Sequence, residues 1–290
     1  MITGNTKLLG VMGHPIKHSF SPAIHNAALT EAGLDYAYLP LEVPAESLEN
    51  TLRWIRTLNF RGFNVTIPHK NKILPLLDEV TEEAKKVGAV NTVIRENGRL
   101  IGYNTDIVGF IAGLKEAGFD AKNKNAVILG AGGAARAVIS GLIKENIENI
   151  EIIARNVHKA VTLAQDFNSF KNIACHNFES EEYKTAQENA DIIINTTPLG
   201  MNPNTDAMPP VDFSLVKKGT LIYDVIYTPE ETKLLKEAKA NNLKTINGET
   251  MLVEQGAAAF RLWTGEEPNV NLMKQTLKNA LSGCAYDAVE

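Results

Sequence analysis

Cysteine is scarce: two residues in 290, Cys175 and Cys284, 109 positions apart and in no CxxC pair. That count supports neither a disulfide scaffold nor a thiolate zinc site, and it favours a reducing compartment, the cytoplasm. Long hydrophobic runs are missing as well. The longest, 126–135, contains three glycines and falls far short of the ~20 apolar residues of a membrane span. The N-terminus lacks a charged segment leading into a long apolar stretch, so no signal peptide is expected. An excess of positive charge is also absent, with 29 Lys and Arg against 34 Asp and Glu for a net −5. Phosphate backbones and anionic lipid need clustered positive charge, so neither nucleic acid nor membrane is an expected partner. Tandem repeats and low-complexity segments are missing too. The chain does have 44% apolar and 22% charged residues, ordinary for a soluble globular protein of roughly two domains.

Strand-like runs alternate with amphipathic stretches, the pattern of parallel α/β architecture. "LLGVMG", "YAYLPLEV" and "FRGFNVTIP" read as strands, with helices over 22–32 and 45–58. The first helix is expected to take Ser21 as N-cap and Pro22 as its first residue, and to close before Gly33. "NTVIRENGRLIGYNTD" reads as a hairpin around a type I′ turn at Asn97-Gly98. A second series begins near Lys124, with strands in "NAVILG", "IEIIAR", "NIAC", "ADIIINTTP" and "GTLIYDVIY". Two helices follow from Glu249 to about Ser282, broken near Gly265–Pro268. The expectation is a domain of residues 1–106 with 248–290, a second of 107–247, and one cleft between them.

"VILGAGGAA" supplies Gly130-x-Gly132-x-x-Ala135 between a strand-like and a helical run, the context in which a glycine pattern means dinucleotide binding. Gly130 permits the tight turn, Gly132 lets backbone N–H groups approach a pyrophosphate, and Ala135 lets the helix pack closely. An NAD site wants an acidic residue at the end of the next strand. The acidic candidate, Glu151, lies toward the start of "IEIIARN", and the far end carries Ala154-Arg155-Asn156. A guanidinium matches a phosphate in charge and fork geometry, so NADP is expected, with Arg155 at the 2′-phosphate.

"GHPIKHSFSPAIHN" (13–26) holds His14, His18 and His25 around Ser19 and Ser21, and reads either as a metal site or as a small-anion pocket. No carboxylate or cysteine stands at ligand spacing, and no paired-histidine helix with a third acidic ligand appears, so no metal is expected. The exposed N–H groups where Pro22 begins a helix favour an anion. In "FNVTIPHKNK", alternation puts Phe63, Val65 and Ile67 on one face and Asn64 and Thr66 on the other. Thr66 and Lys70 then fall at the C-terminal edge of the strand, where open α/β sheets bind ligands. Lys70 is a candidate proton donor, although alone it reads rather as an exposed lysine beside Lys72. The hairpin sets Asn91 opposite Asn104, with Asp106 a few residues away as either a helix cap or a functional carboxylate.

Along essentially its whole length the chain resembles the shikimate dehydrogenases, through "HSFSPAIHN", "FNVTIPHK", "GAVNT", "GYNTD", "LGAGGAAR", "NTTPLGM", "DVIYTP" and "NGETMLVEQGAAAF". The resemblance implies an α/β substrate domain followed by a Rossmann domain, with the C-terminal helices returning to the first. It implies reversible NADPH-dependent reduction of 3-dehydroshikimate to shikimate in aromatic amino-acid biosynthesis, by an oxidoreductase acting on a CH–OH group. Lys70 and Asp106 would form the catalytic pair. Ser19 and Ser21 would hold the substrate carboxylate with Tyr227, and Thr66, Asn91 and Gln255 would bond its other oxygens. Gly130, Ala131, Gly132, Gly133 and Ala134 would wrap the pyrophosphate. Ala154, Arg155, Asn156, Val157, His158 and Lys159 would surround the ribose phosphate, with Val225 and Gly248 near the nicotinamide and Glu82 near the cofactor. The family often has Asn-Arg-Thr where this chain has Ala154-Arg155-Asn156, which puts the strength of NADP preference in question. A quinate/shikimate dehydrogenase using NAD is the alternative; a non-catalytic NADP-binding regulator and a metal-dependent enzyme are more distant ones. A homodimer is left open.

Overall fold

The computed structural model describes residues 2–283, so Cys284 lies outside the described residues. The chain divides into two compact units, residues 1–105 with 253–290 and residues 106–252.

The first unit is built on strands β1 (Lys7–Gly13), β2 (Tyr36–Glu42), β3 (Gly62–Val65), β4 (Glu79–Val80), β5 (Thr92–Glu96) and β6 (Arg99–Tyr103). They form one sheet in the order β2-β1-β3-β5-β6-β4. Helices α1 (Ser21–Glu31) and α2 (Leu48–Thr57) connect the first three strands, which are parallel, and α3 (Glu82–Val87) precedes β5. The β5–β6 pair is the expected hairpin, and Asn97 and Gly98 both have positive φ (49° and 77°), as a type I′ turn demands. One face of α2 buries Leu48, Leu52 and Ile55 against Phe63, Val65, Val93 and Leu100 of the sheet. Each such side chain contributes roughly 1.5–3 kcal/mol on removal from water.

Two expectations fail here. Ser21 is the first helical residue of α1 and not its cap, because Phe20 already has helical dihedrals (φ −85°, ψ −7°). Ile67 does not continue the apolar face of Phe63 and Val65 and is 73% exposed, since β3 ends at Val65 and the alternation ends with it.

The second unit carries β7 (Asn125–Leu129), β8 (Asn149–Ile153), β9 (Ile173–His176), β10 (Ile192–Asn195), β11 (Leu221–Asp224) and β12 (Lys244–Ile246). All pair in parallel, in the order β12-β11-β10-β7-β8-β9. Helices α4 (Asp106–Glu116), α5 (Gly133–Lys144), α6 (Val157–Gln165), α7 (Glu181–Asn189) and α8 (Lys233–Ala240) accompany them. Two apolar clusters cover the sheet, one gathering Phe110, Val138 and Leu163, the other Tyr183, Ala186 and Leu235. Both faces are therefore buried, which is why these strands read as continuous β-branched runs without alternation. Counted from β7, the strand order is 3-2-1-4-5-6, the doubly wound Rossmann arrangement, with its switch point between β7 and β10. Two helices end the fold, α9 (Glu249–Thr264) and α10 (Val270–Gly283), and the division between the units falls within α9. Among the described residues no helix is long and apolar enough to cross a membrane.

Candidate active site

In the second unit the glycine turn leaves β7 at the switch point. Gly130 has φ +110°, and a Cβ there would come within 2.8 Å of Thr196 Oγ1. Thr196 is itself held by its hydroxyl, which donates to the Leu129 carbonyl at 2.8 Å. At Gly132 and Gly133 a Cβ would meet nothing within 4 Å, so the turn faces open space. Gly132 precedes α5 in extended conformation with no side-chain cap, and Ala135 is fully buried where the helix meets the sheet. Open space in front of an uncapped helix start fits a dinucleotide pyrophosphate beside Gly130, Ala131, Gly132, Gly133 and Ala134. Thr196 and Thr197, which follow β10 across the switch point, escape a reading of the sequence because they look like an ordinary strand end.

Beyond β8, Ala154 is buried and its N–H donates to the His176 carbonyl at 3.0 Å, while Arg155 is exposed. Asn156 has a role that the sequence did not disclose. It caps α6, its Oδ1 accepting the Lys159 N–H at 3.0 Å. Val157 and His158 form the first turn of that helix. Glu151 lies mid-strand, 3.1 Å from His176 Nε2, and burial raises its carboxyl above the usual range. Cys175 on β9 is half-buried, and burial also pushes its thiol up, the opposite of an activated nucleophile.

Val225 directly follows β11 and donates its N–H to the Asn195 carbonyl at 3.1 Å. Gly248 lies so near that a Cβ on it would stand 2.0 Å from the Val225 carbonyl oxygen, which admits only glycine. Beneath them is a buried carboxylate, Asp224, that accepts hydrogen bonds from Asn195, Thr232 and the Ile226 N–H. Burial outweighs those bonds and pushes it up to about 6. Tyr227 is half-buried, and its hydroxyl is raised by burial. Asp106 is the buried first residue of α4.

In the first unit, the loop between β1 and α1 is braced by Glu42, which pairs with His14 and accepts the Ile16 N–H at 2.9 Å. His18 is exposed. His25 is buried against Tyr38 and Trp263, and burial drives its pKa down to about 3. None of the three histidines joins a metal-holding group, and the described residues contain no cluster of three or more His, Cys, Asp or Glu arranged to hold an ion. Ser19 Oγ accepts the Ser21 N–H at 3.4 Å, so the two serines sit together.

Thr66 lies one residue past β3, its N–H donating to the Met12 carbonyl at 2.9 Å. Gly13 makes room for it, since Thr66 Cγ2 would stand 2.4 Å from a Cβ at that position. Lys70 is half-buried, and its carbonyl accepts the Val90 N–H at 2.8 Å, tying it to the residue before Asn91. Asn91 is 2% exposed, and its orientation is determined by its partners. Its Oδ1 accepts the Thr105 N–H at 2.7 Å, so its Nδ2 must face Gln255 Oε1, at 3.3 Å. Gln255 thus turns its oxygen to Asn91, and its NH₂ is the opposite end. Glu82, in the first turn of α3, pairs with Lys85 at 2.7 Å and is largely exposed.

A doubly wound Rossmann sheet with an open glycine turn at its switch point, in a chain that also carries a mixed-sheet α/β unit rich in placed polar groups, defines a nucleotide-binding α/β protein of the dehydrogenase class. Family models for the shikimate dehydrogenase substrate binding domain, the shikimate/quinate 5-dehydrogenase and the shikimate 5′-dehydrogenase C-terminal domain match residues 11–93, 113–201 and 248–278. A shikimate dehydrogenase (NADP(+)) of Methanococcus aeolicus is 44% identical over 282 residues, 97% of this chain and 100% of that one. A crystal structure of shikimate dehydrogenase with NADP+ overlays with a TM-score of 0.90 at 45% identity, covering 97% of this chain and 98% of the other. The Thermus thermophilus shikimate 5-dehydrogenase, crystallised with NADP(H) and shikimate, gives 0.85 at 38% identity, covering 95% and 100%. The chain belongs to the shikimate dehydrogenase family.

Proposed function

We propose that this protein catalyses the reversible NADPH-dependent reduction of 3-dehydroshikimate to shikimate, a step in aromatic amino-acid biosynthesis. The observation that carries the reading is identity above 40% over nearly the whole chain with relatives named for this activity. Residues 107–247 bind NADP, and residues 1–106 with 248–290 bind the substrate. Arg155, exposed beyond β8 where an NAD site would carry an acid, takes the 2′-phosphate. Asn156 aids it indirectly, by capping the helix that follows.

Bound NADPH supplies the hydride. Lys70 gives a proton to the oxygen of the carbonyl being reduced, and recovers it in the reverse direction. Asp106 orients Lys70 and accepts from a substrate hydroxyl. Ser19 and Ser21 donate to the substrate carboxylate, helped by Tyr227. Gln255 presents its NH₂ group, Asn91 its side-chain amide and Thr66 its hydroxyl to the remaining oxygens. A site made of buried hydrogen bonds rejects an analogue lacking one hydroxyl by roughly 10⁴-fold.

The test is a matrix of rates for shikimate and quinate, each with NADP and with NAD. The expected result is turnover concentrated in the shikimate–NADP pair. Faster oxidation of quinate with NAD would replace this reading by the quinate/shikimate alternative.

A further inference from the structure

Strands β10 and β11 end side by side, and their last residues, Asn195 and Asp224, are register partners. Both are fully buried, and the Asn195 amide donates to Asp224 Oδ1 at 3.0 Å. The direction of that bond is determined. Asn195 Oδ1 accepts the Thr197 N–H at 2.9 Å, and a backbone N–H only donates, so the NH₂ group must face Asp224. The same amide accepts the Thr197 hydroxyl at 2.7 Å and donates to the Leu199 carbonyl at 3.3 Å. The chain after β10 is thereby rolled around one side chain. It passes the glycine turn there, since a Cβ on Gly130 would stand 2.8 Å from Thr196 Oγ1 and 3.0 Å from Thr197 Cγ2.

Asp224 does the same for the chain after β11. Its Oδ1 also accepts the Ile226 N–H at 3.1 Å, and its Oδ2 accepts the Thr232 hydroxyl at 2.7 Å. The Ile226 carbonyl in turn accepts the Gly248 N–H at 3.0 Å, and Thr232 caps α8. One buried pair therefore joins the wall of the glycine turn to the segment that carries Val225. The two oxygens of Asp224 are not equivalent. Both partners of Oδ1 are fixed donors, so that atom must accept. The partner of Oδ2 is a hydroxyl, which can also accept. An asparagine with its oxygen at Oδ1 and its NH₂ at Oδ2 satisfies all three partners, and an alanine satisfies none.

We propose that Asp224 is a positioning residue for the nicotinamide half of NADP, holding the Val225 segment in register with the glycine turn before the cofactor arrives. A segment already ordered adds no ordering cost to binding. The inference rests on the reading of Val225 and Gly248 as neighbours of the nicotinamide. It is tested by calorimetry with NADP and with adenosine 2′,5′-bisphosphate, which keeps the adenosine half and lacks the nicotinamide. An unfolded fraction alters the stoichiometry and not the Kd. Asp224→Ala should raise the Kd for NADP about tenfold, near the worth of one hydrogen bond, and leave that for the bisphosphate unchanged. Asp224→Asn should keep both within about twofold of wild type, because every partner is still satisfied. Thr232→Val removes only the partner of Oδ2 and is the milder variant should Asp224→Ala not fold; it should raise the Kd for NADP alone, about threefold. Loss of both ligands by one factor, or of neither, overturns the inference, and so does an Asp224→Asn protein as weak as Asp224→Ala. Val225→Trp tests the underlying reading, because a bulky side chain beside the nicotinamide should weaken NADP and spare the bisphosphate. If it weakens neither, the nicotinamide lies elsewhere and the inference falls with that reading.

Discussion

Lys70 and Asp106 are the residues on which the proposed chemistry depends, and neither declares itself alone. A lysine two positions past a proline beside a second lysine reads as a surface charge. An aspartate that opens a helix reads as a cap. Replacing Lys70 by Ala should lower kcat by about 10²–10⁴-fold with modest change in shikimate KM, the range for loss of one general acid. Near-normal turnover would remove Lys70 from that role. Asp106→Asn should also lose kcat at full folding. If it acted only at the helix start, it would instead cost about 1 kcal/mol of stability and leave the folded enzyme active. Single-turnover rates alongside denaturant titration separate the two outcomes. Arg155 was more legible, since its charge and its position beyond "IEII" were both visible. The role of Asn156 was not, because a capping side chain is recognised only once the helix start is located.

The turn from β8 into α6 joins these two residues in one element. Arg155 there is exposed, and Asn156 holds the helix that follows. Arg155→Asp should raise the KM for NADP strongly and spare that for NAD, because only the 2′-phosphate distinguishes the two. Steady-state rates with each cofactor decide it, and equal losses on both would refute the assignment. Other elements show where pattern reading stops. The hairpin at Asn97-Gly98 was legible because its turn chemistry is local. The one-residue error at Ser21 and the wrong face for Ile67 share a cause. Both lie where a regular element ends, and the end is decided by backbone dihedrals that side-chain periodicity does not record.

Across the molecule, two buried titratable groups pull stability in opposite directions with pH. His25 has its pKa lowered from 6.5 to about 3 by burial. The folded state therefore binds its proton less readily than the unfolded one, and the stability it contributes is present above pH 6.5 and lost as pH falls through that window. Asp224, raised from 3.8 to about 6, has the reverse effect and favours the folded state as pH drops below 6. Asp78, held low by Arg56 and the Leu100 N–H, adds a loss only near and below pH 4. Between about pH 7 and 6 His25 contributes the most of the three. The melting temperature should decline across that interval, and His25→Phe, which keeps an aromatic ring against Tyr38, should flatten the decline. Parallel curves for the two proteins would show that His25 does not govern it.

The sequence by itself determined the class of the fold, the glycine turn, the position of the arginine proposed for NADP and the list of candidate pocket residues. Each of these is written in local periodicity, in residue chemistry or in spacing within one stretch. Only the tertiary structure decided the direction of the polar network. It sets Tyr38, Asn64 and Asn91, from three different strands or strand ends, in one hydrogen-bonded chain, Tyr38 to Asn64 and Asn64 to the Asn91 carbonyl. Which atom donates follows from which groups can only accept, and that depends on neighbours far apart in the chain. The glycine requirement at Gly248 has the same origin, since the carbonyl that forbids a side chain there belongs to Val225, on another strand's end.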